Sequence, residues 1–176
     1  MADITAQMVK ELRERTGAGI KECKDILTQT SGNMDQAIEL LRQRGLRVTD
    51  KVKDREAKEG RIEVYMHPGN RMAAMVELDC ETDFVARTED FIALAKDLAL
   101  HVAAANPRYV RAEDVSAEEV EASGMPAEKY YEEVVLLAQP FVKDGSQTIE
   151  DKIKATVAKV RENIVVRRFT RYEIGV

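Results

Sequence analysis

The side chains best suited to recognising another molecule stand in one short run, Glu81-Thr82-Asp83-Phe84-Val85-Ala86-Arg87. In this run a large aromatic residue, Phe84, follows a carboxylate, Asp83, where a predicted strand gives way to a predicted helix. Residues at such junctions are accessible and are held by a rigid scaffold, so they often serve binding. The alternative is that Phe84 closes the end of the hydrophobic core, because phenylalanine is usually buried.

Two regular elements must position this run. Residues 71–79 predict a half-buried strand, because apolar side chains occupy alternate positions. The side chains of its apolar face are Met72, Ala74, Val76 and Leu78. After the run, Thr88 can cap a helix whose first turn is acidic. Thr82 can cap a shorter turn of its own, so the sequence predicts that residues 82–85 form a knuckle between the strand and the helix.

The composition is typical of a helix-rich cytoplasmic protein. The 176 residues have a mass of 19.8 kDa, with 44% hydrophobic and 34% charged residues. No apolar run approaches the roughly 20 residues that cross a bilayer, and the first residues lack a basic start before an apolar stretch. A formal net charge of -5 disfavours nucleic-acid binding, which usually needs a basic face. We therefore expect a cytoplasmic protein without a membrane segment or a direct nucleic-acid partner.

Ionisable and nucleophilic side chains do not form a recognised catalytic pattern. Cys23 and Cys80 have no second cysteine or histidine at ligand spacing, which argues against a zinc site and a disulfide. His67 and His101 have no nucleophile at a recognised spacing and are interpreted as structural or exposed. A thiol enzyme using Cys80 is an alternative, but the acidic residues around it should raise the thiol pKa. Since a phosphate-binding G-x-x-x-x-G-K loop is also absent, we predict no enzyme activity, no cofactor and no metal.

Residues 5–44 predict three short helices. The turn Thr16-Gly17-Ala18-Gly19 ends the first helix, the second displays Ile20 on its apolar face, and the third ends before Gly45. Three helices of this length form a very small core. The arrangement resembles a ubiquitin-associated-like (UBA-like) module, which we assign to residues 1–46.

A charged connector and a second unit follow. Residues 47–59 contain almost no apolar side chains and predict either an exposed helical connector or a flexible linker. Residues 60–176 begin with a hairpin around Pro68-Gly69-Asn70, continue with helices, one of them capped by Thr148, and end with a strand. In the first strand of the hairpin, apolar residues again alternate with other residues: Ile62, Val64 and Met66. We predict an α+β core in which an antiparallel sheet of about three strands is covered by helices.

The run around Asp83 and Phe84 resembles the signature of the bacterial elongation factor Ts family, and separate motifs extend the resemblance over nearly the whole chain. These are Thr16-Gly17-Ala18-Gly19 with Cys23-Lys24, Glu77 through Arg87, His101-Val102-Ala103 with Asn106-Pro107, Gln139-Pro140-Phe141-Val142, and Glu162-Asn163-Ile164 to Phe169. The resemblance implies a guanine nucleotide exchange factor that binds the GTPase elongation factor Tu, in its GDP-bound and nucleotide-free forms, and promotes release of GDP.

The resemblance also implies roles for individual residues. Phe84 would wedge apart side chains beside the magnesium site of elongation factor Tu, and Asp83 would disturb polar contacts around the ion. Thr82 and Val85 would hold the tip in shape. Further partner contacts are implied near the end of the first helix, by Thr16, Gly17, Ala18, Gly19 and Arg13. The alternative for this turn is that it only joins two helices.

The chain resembles a short form of the family with one core subdomain. A lone three-stranded sheet leaves an edge and an apolar surface open, which a two-fold partner can cover, so we predict a homodimer. The alternative function is an adaptor, in which the UBA-like module binds ubiquitin-like or nascent-chain partners and the core only dimerises. For Arg167, Arg168 and Arg171 the alternatives are a phosphate-binding cluster and, as we favour in an acidic protein, surface or dimer-interface charges.

Overall fold

A computed structural model describes residues 4–175 of the chain, without the side chain of Leu46. Residues 1–3 of the predicted module and residue 176 of the predicted core lie outside the described residues. The α-helices are α1 (Ala6–Thr16), α2 (Ile20–Gln29), α3 (Met34–Val52), α4 (Asp83–Ala86), α5 (Glu89–Ala105), α6 (Ala117–Ser123), α7 (Ala127–Val134) and α8 (Ile149–Val160). The strands are β1 (Glu59–Met66), β2 (Met72–Cys80), β3 (Pro140–Phe141), β4 (Asp144–Thr148) and β5 (Val165–Glu173).

The first three helices surround a small core of their own. Thr5 and Asn33 cap α1 and α3 through their side chains, and Gly17 ends α1 with a φ of 68°. The buried side chains are Val9, Leu12, Cys23, Ile26, Leu27, Ala37 and Leu41. The prediction that Ile20 faces this core is wrong, because it is the first residue of α2 and its side chain is exposed. Three helices are present as predicted, and their likeness to a UBA-like module stays a prediction.

The prediction that the third helix ends before Gly45 is wrong. The helix continues to Val52, through part of the predicted connector. A Cβ atom on Gly45 would lie 3.2 Å from Cβ of Ala158, so α3 comes close to α8. Packing against α8 offsets the low helix propensity of glycine. The division into a module (1–46), a connector (47–59) and a core (60–176) stays a prediction.

An antiparallel sheet of three strands, in the order β1-β2-β5, lies at the centre of the core and confirms the predicted α+β class. Helices α5 and α8 supply the other side of this core. Its main buried side chains are Ala74, Val76 and Leu78 from β2, Phe91, Leu94, Leu98 and Val102 from α5, and Ile149, Ile153 and Val157 from α8. The alternation predicted for β2 is confirmed, since these β2 residues are buried while Met75 between them is exposed.

The opposite face of the sheet carries apolar side chains that no element within residues 4–175 covers. We call it the open sheet face, and its large members are Ile62, Val64, Met66, Met75 and Tyr172, which are 43% to 72% exposed. Val64 lies opposite Met75 in the register, so these side chains adjoin across the strands. The helix-facing positions of β1 carry Arg61 and Glu63, whose Nη2 and Oε2 atoms lie 2.7 Å apart. The apolar positions of β1 therefore point away from the core.

Gly60→Ala should destabilise the protein, because Gly60 has a φ of 152° and an added Cβ would lie 2.2 Å from the carbonyl oxygen of Leu78. We expect the free energy of unfolding, measured by urea denaturation, to fall by roughly 1 to 3 kcal/mol. Gly145→Ala is the matched control in β4, because no atom lies within 4 Å of its added Cβ. That change should stay within about 0.5 kcal/mol. Equal stability of Gly60→Ala and the wild type would contradict the close approach of β1 and β2.

Candidate functional site

The knuckle is a single helical turn between β2 and α5. Thr82 is the N-cap of α4, and its Oγ1 accepts a hydrogen bond from the N–H of Val85 at 3.4 Å. Thr88 caps α5 in the same way, because its Oγ1 accepts from the N–H of Phe91 at 3.3 Å. Both predicted caps are confirmed, so each end of the knuckle is fixed by a local side-chain contact.

Phe84 points into solvent, with 80% of its surface exposed. The next residue, Val85, is buried and belongs with Ala86 to the main core cluster. Successive residues of a helical turn point in different directions, so burial of Val85 leaves Phe84 on the outside. The alternative that Phe84 closes the end of the core is therefore wrong.

Asp83 stands beside the ring and is paired within the same turn. Its Oδ2 lies 2.9 Å from Nη2 of Arg87, and the side chain of Arg87 is largely exposed. Exposed ion pairs of this kind contribute about 0 to 1 kcal/mol, so another molecule can separate this pair at little cost. The tip thus presents an aromatic ring and an accessible carboxylate side by side.

The knuckle is anchored by a carboxylate that the sequence reading did not identify as a site residue. Oε2 of Glu162 accepts from the N–H groups of Glu81 at 3.1 Å and Thr82 at 3.0 Å. Its Oε1 accepts from the Thr82 hydroxyl at 2.7 Å. In return, Oε1 of Glu81 accepts from the N–H of Asn163 at 2.7 Å. The signal in the sequence was the motif beginning at Glu162, but no local pattern reveals a contact between residues 80 positions apart.

The residues predicted as further partner contacts form the turn between α1 and α2. Gly17 donates its N–H to the carbonyl of Arg13 at 2.7 Å, and Oγ1 of Thr16 accepts from the N–H of Ala18 at 3.3 Å. A Cβ on Gly17 would lie 2.4 Å from Cε of Lys159, so the turn rests against α8. The turn is therefore structured and touches the core, and its role in partner binding stays a prediction.

A cleft of about 800 Å³ is lined by this turn and by residues of α3 and α8. In its lining, Lys159 of α8 donates to Oδ1 of Asp90, in the first turn of α5, at 3.0 Å. Gly19 is the N-cap of α2, and the exposed Ile20 that follows adds an apolar side chain to the turn. Lys159, near the end of α8, lies against the turn. Glu162, just after α8, holds the knuckle, so this part of the chain contacts both predicted partner surfaces.

The histidines occupy structural or exposed positions, in agreement with their interpretation. His101 is buried; its Nε2–H donates to Oε1 of Gln139 at 3.0 Å, and its Nδ1 accepts from the N–H of Val142 at 3.3 Å. Burial lowers the pKa of His101 and therefore favours the neutral ring. His67 is exposed and lies 3.1 Å from the hydroxyl of Tyr65. Both nitrogens of His101 are engaged, which leaves no free base for catalysis there.

The three arginines of β5 pair with separate carboxylates. The pairs, with their N to O distances, are Arg167 with Asp79 (2.8 Å), Arg168 with Glu77 (2.5 Å) and Arg171 with Glu173 (2.5 Å). Arg171 also donates to the carbonyl of Ala103 at 2.9 Å. Their guanidinium groups are therefore engaged apart from one another, and the phosphate-binding cluster is not formed.

The described residues contain neither a metal-binding cluster nor a membrane-spanning helix. Within residues 4–175, no three histidine, cysteine, aspartate or glutamate side chains are grouped as a metal ion would require. In that same part of the chain, none of the helices combines the length and the apolar character needed to cross a bilayer. The knuckle and its anchor therefore remain the candidate site.

Comparisons with known proteins agree with the resemblance carried by the motifs. A family model described as Elongation factor TS matches residues 2–127 and 124–176. A relative named Elongation factor Ts from Herpetosiphon aurantiacus is 54% identical, over 98% of this chain and 98% of its own. Relatives of the same name from Desulforamulus reducens and Heliobacterium modesticaldum are each 47% identical, over 99% and 98% of this chain and 91% and 90% of theirs.

Cys80 should resist alkylation in the native protein. Its buried thiol donates to the carbonyl of Thr82 at 3.1 Å, and burial together with the charge of Glu162 raises its pKa to about 11. Because the thiolate is the reactive form, we expect labelling by iodoacetamide at neutral pH, followed by mass spectrometry, to be at least about 100-fold slower than for a free cysteine peptide. Protein unfolded in urea is the control. Rapid labelling of the native protein at Cys80 would revive the thiol-enzyme alternative.

Proposed function

The chain belongs to the elongation factor Ts family, and we propose that it binds the GDP form of the GTPase elongation factor Tu and promotes release of GDP. The observation that carries this proposal is the exposed Phe84 on an anchored turn beside Asp83. Phenylalanine is usually buried, so a ring held in solvent by a fixed turn favours contact with another molecule. The protein would act in the cytoplasm, where translation takes place.

The proposed mechanism is displacement without bond chemistry. A GTPase holds its nucleotide through a phosphate-binding loop and a magnesium ion that bridges phosphate and protein oxygens. Phe84, entering beside that site, would separate the side chains that position the ion, and Asp83 would compete for polar contacts around it. Thr82 supports the ring by its cap and Val85 by its burial. Loss of the ion weakens the hold on GDP, and GTP can then bind the emptied site.

Phe84 alone does not supply enough free energy for this effect. Burying one phenylalanine contributes roughly 1.5 to 3 kcal/mol. Weakening nucleotide binding by about 10⁴ requires about 5.5 kcal/mol of differential binding. We therefore assign further contacts to the module turn, including Arg13 and the exposed Ile20. Because coupling is reciprocal, GDP must weaken the binding of this protein to elongation factor Tu by the same factor.

We also propose that the chain forms a homodimer through the open sheet face. This face collects five large apolar side chains from three adjacent strands. Two copies stacked face to face would bury both surfaces around a two-fold axis, as in other sheet-on-sheet packings. Glu77 and Arg168 lie opposite each other on the same face and form an ion pair there, as expected for a polar rim.

Phe84→Ala should slow the stimulated release of GDP by about one to two orders of magnitude. This change in rate corresponds to the free energy of burying one phenylalanine in the complex. The measurement is release of a fluorescent GDP from purified elongation factor Tu. The fold should be retained, with a change in unfolding free energy within about 0.5 kcal/mol, because the ring is exposed. Val142→Ala is the control, since Val142 is an exposed apolar residue outside the knuckle.

An unchanged rate with Phe84→Ala would remove the ring from the mechanism. Failure of the wild-type protein to accelerate GDP release would contradict the proposed function itself. In that case the adaptor alternative, in which the module binds a ubiquitin-like or nascent-chain partner, would be favoured.

Met75→Lys should convert the proposed dimer into a monomer, because it places a charge at the centre of the open sheet face. Sedimentation at micromolar concentration measures the mass of the wild type and the variant. The variant should still fold, because Met75 is 43% exposed in the single chain. Val142→Lys is the matched control, since Val142 is 45% exposed and lies outside this face. A monomeric wild type would contradict the proposal, as would a dimeric Met75→Lys.

A further inference from the structure

One side chain from a distant segment holds the backbone just before Phe84. Glu162, which follows the end of α8, accepts hydrogen bonds from two consecutive amides, those of Glu81 and Thr82, and from the Thr82 hydroxyl. Hydrogen bonds to a charged acceptor are roughly twice as strong as those between neutral groups. The carboxylate thus fixes both the entry to the turn and the side chain that caps it.

Asn163 extends this anchor to the end of α3. Its N–H donates to Glu81, and its Nδ2 donates to the carbonyls of Lys53 and Arg55 at 3.1 and 2.7 Å. Asn163 is buried, so loss of these bonds would leave polar groups without partners. Because Lys53 is the C-cap of α3, the segment after α8 connects the knuckle to a helix that packs against α1 and α2, the two helices joined by the module turn.

We propose that Glu162 is a positioning residue for nucleotide exchange, which keeps Phe84 in the direction in which the ring meets elongation factor Tu. This inference rests on the proposed function of the knuckle. Its basis is preorganisation, because a turn that already has its bound conformation loses less entropy on binding. Without the carboxylate, the amides of Glu81 and Thr82 lose their acceptor, and the apolar ring can turn onto the surface of its own protein.

The test is the stimulated release of fluorescent GDP from elongation factor Tu. Glu162→Ala should slow it about tenfold. Glu162→Gln should retain most of the rate, because its carboxamide oxygen can accept from both amides and its NH₂ group can donate to the Thr82 hydroxyl. Glu150→Ala, the matched control on α8, removes an exposed carboxylate that pairs with Lys154 at 2.9 Å, and it should leave the rate unchanged.

A double-mutant cycle separates positioning from general stability. If Glu162 acts through Phe84, adding Glu162→Ala to Phe84→Ala should not slow release further. Multiplicative effects would overturn the inference, and so would a wild-type rate with Glu162→Ala. If Glu162→Ala does not fold, Glu162→Asp replaces it in the cycle, because aspartate keeps the charge but shortens the reach by one methylene group.

Amide hydrogen exchange supplies a readout that does not involve the partner. In Glu162→Ala the amides of Glu81 and Thr82 should exchange at least about tenfold faster, while that of Val76 in β2 should keep its protection. Unchanged protection at Glu81 and Thr82 would overturn the positioning role. If Phe84→Ala slows GDP release and Glu162→Ala does not, the positioning role alone fails; if Phe84→Ala has no effect, the proposed function of the knuckle fails with it.

Discussion

The hydrogen bonds between Glu162 and the knuckle are the contact on which the direction of Phe84 depends. They satisfy the amides at the end of β2 and hold the hydroxyl of Thr82, which in turn caps α4. Beneath this turn, Cys80 and Val85 are buried. The ring can stand in solvent because these hydrogen bonds and the packing of Cys80 and Val85 restrict the movement of the turn.

Strand β2 connects the main features of the molecule. Its inner face supplies Ala74, Val76 and Leu78 to the core, its outer face presents Met75, and its end leads into the knuckle. The core beneath β2 keeps the strand rigid, so both outward features are held by the same packing. Exposed apolar groups are costly in a protein that acts alone, since they favour aggregation. The two proposed partners, a second copy and a GTPase, would cover the apolar groups on this strand and on the knuckle that follows it.

The local parts of the site were predictable because their interactions span few residues. The cap of α4 joins Thr82 to Val85, three positions later, and the alternation of β2 follows from its pleat. The family was also predictable, since short motifs such as residues 82–87 and 162–169 can be recognised directly in the sequence. The alternation in β1 shows that one face of the strand is apolar, but it does not show which face the helices cover. In the structure the apolar face of β1 belongs to the open sheet face, away from the helices. Likewise, helix propensity alone predicts that α3 ends at Gly45, whereas in the structure α3 packs against α8 and continues to Val52.

The sequence by itself therefore determined the α+β class, the strand, turn and helix around Phe84, and the membership of the chain in its family. The tertiary structure decided that Phe84 points outward, that an apolar sheet face stays open, and that Glu162 anchors the turn. The physical reason is range. Helix caps and the alternation of a strand depend on residues within three or four positions of one another, so a sequence pattern can reveal them. Core packing and the contact of Glu162 with Thr82 join segments that become neighbours only after the chain has folded.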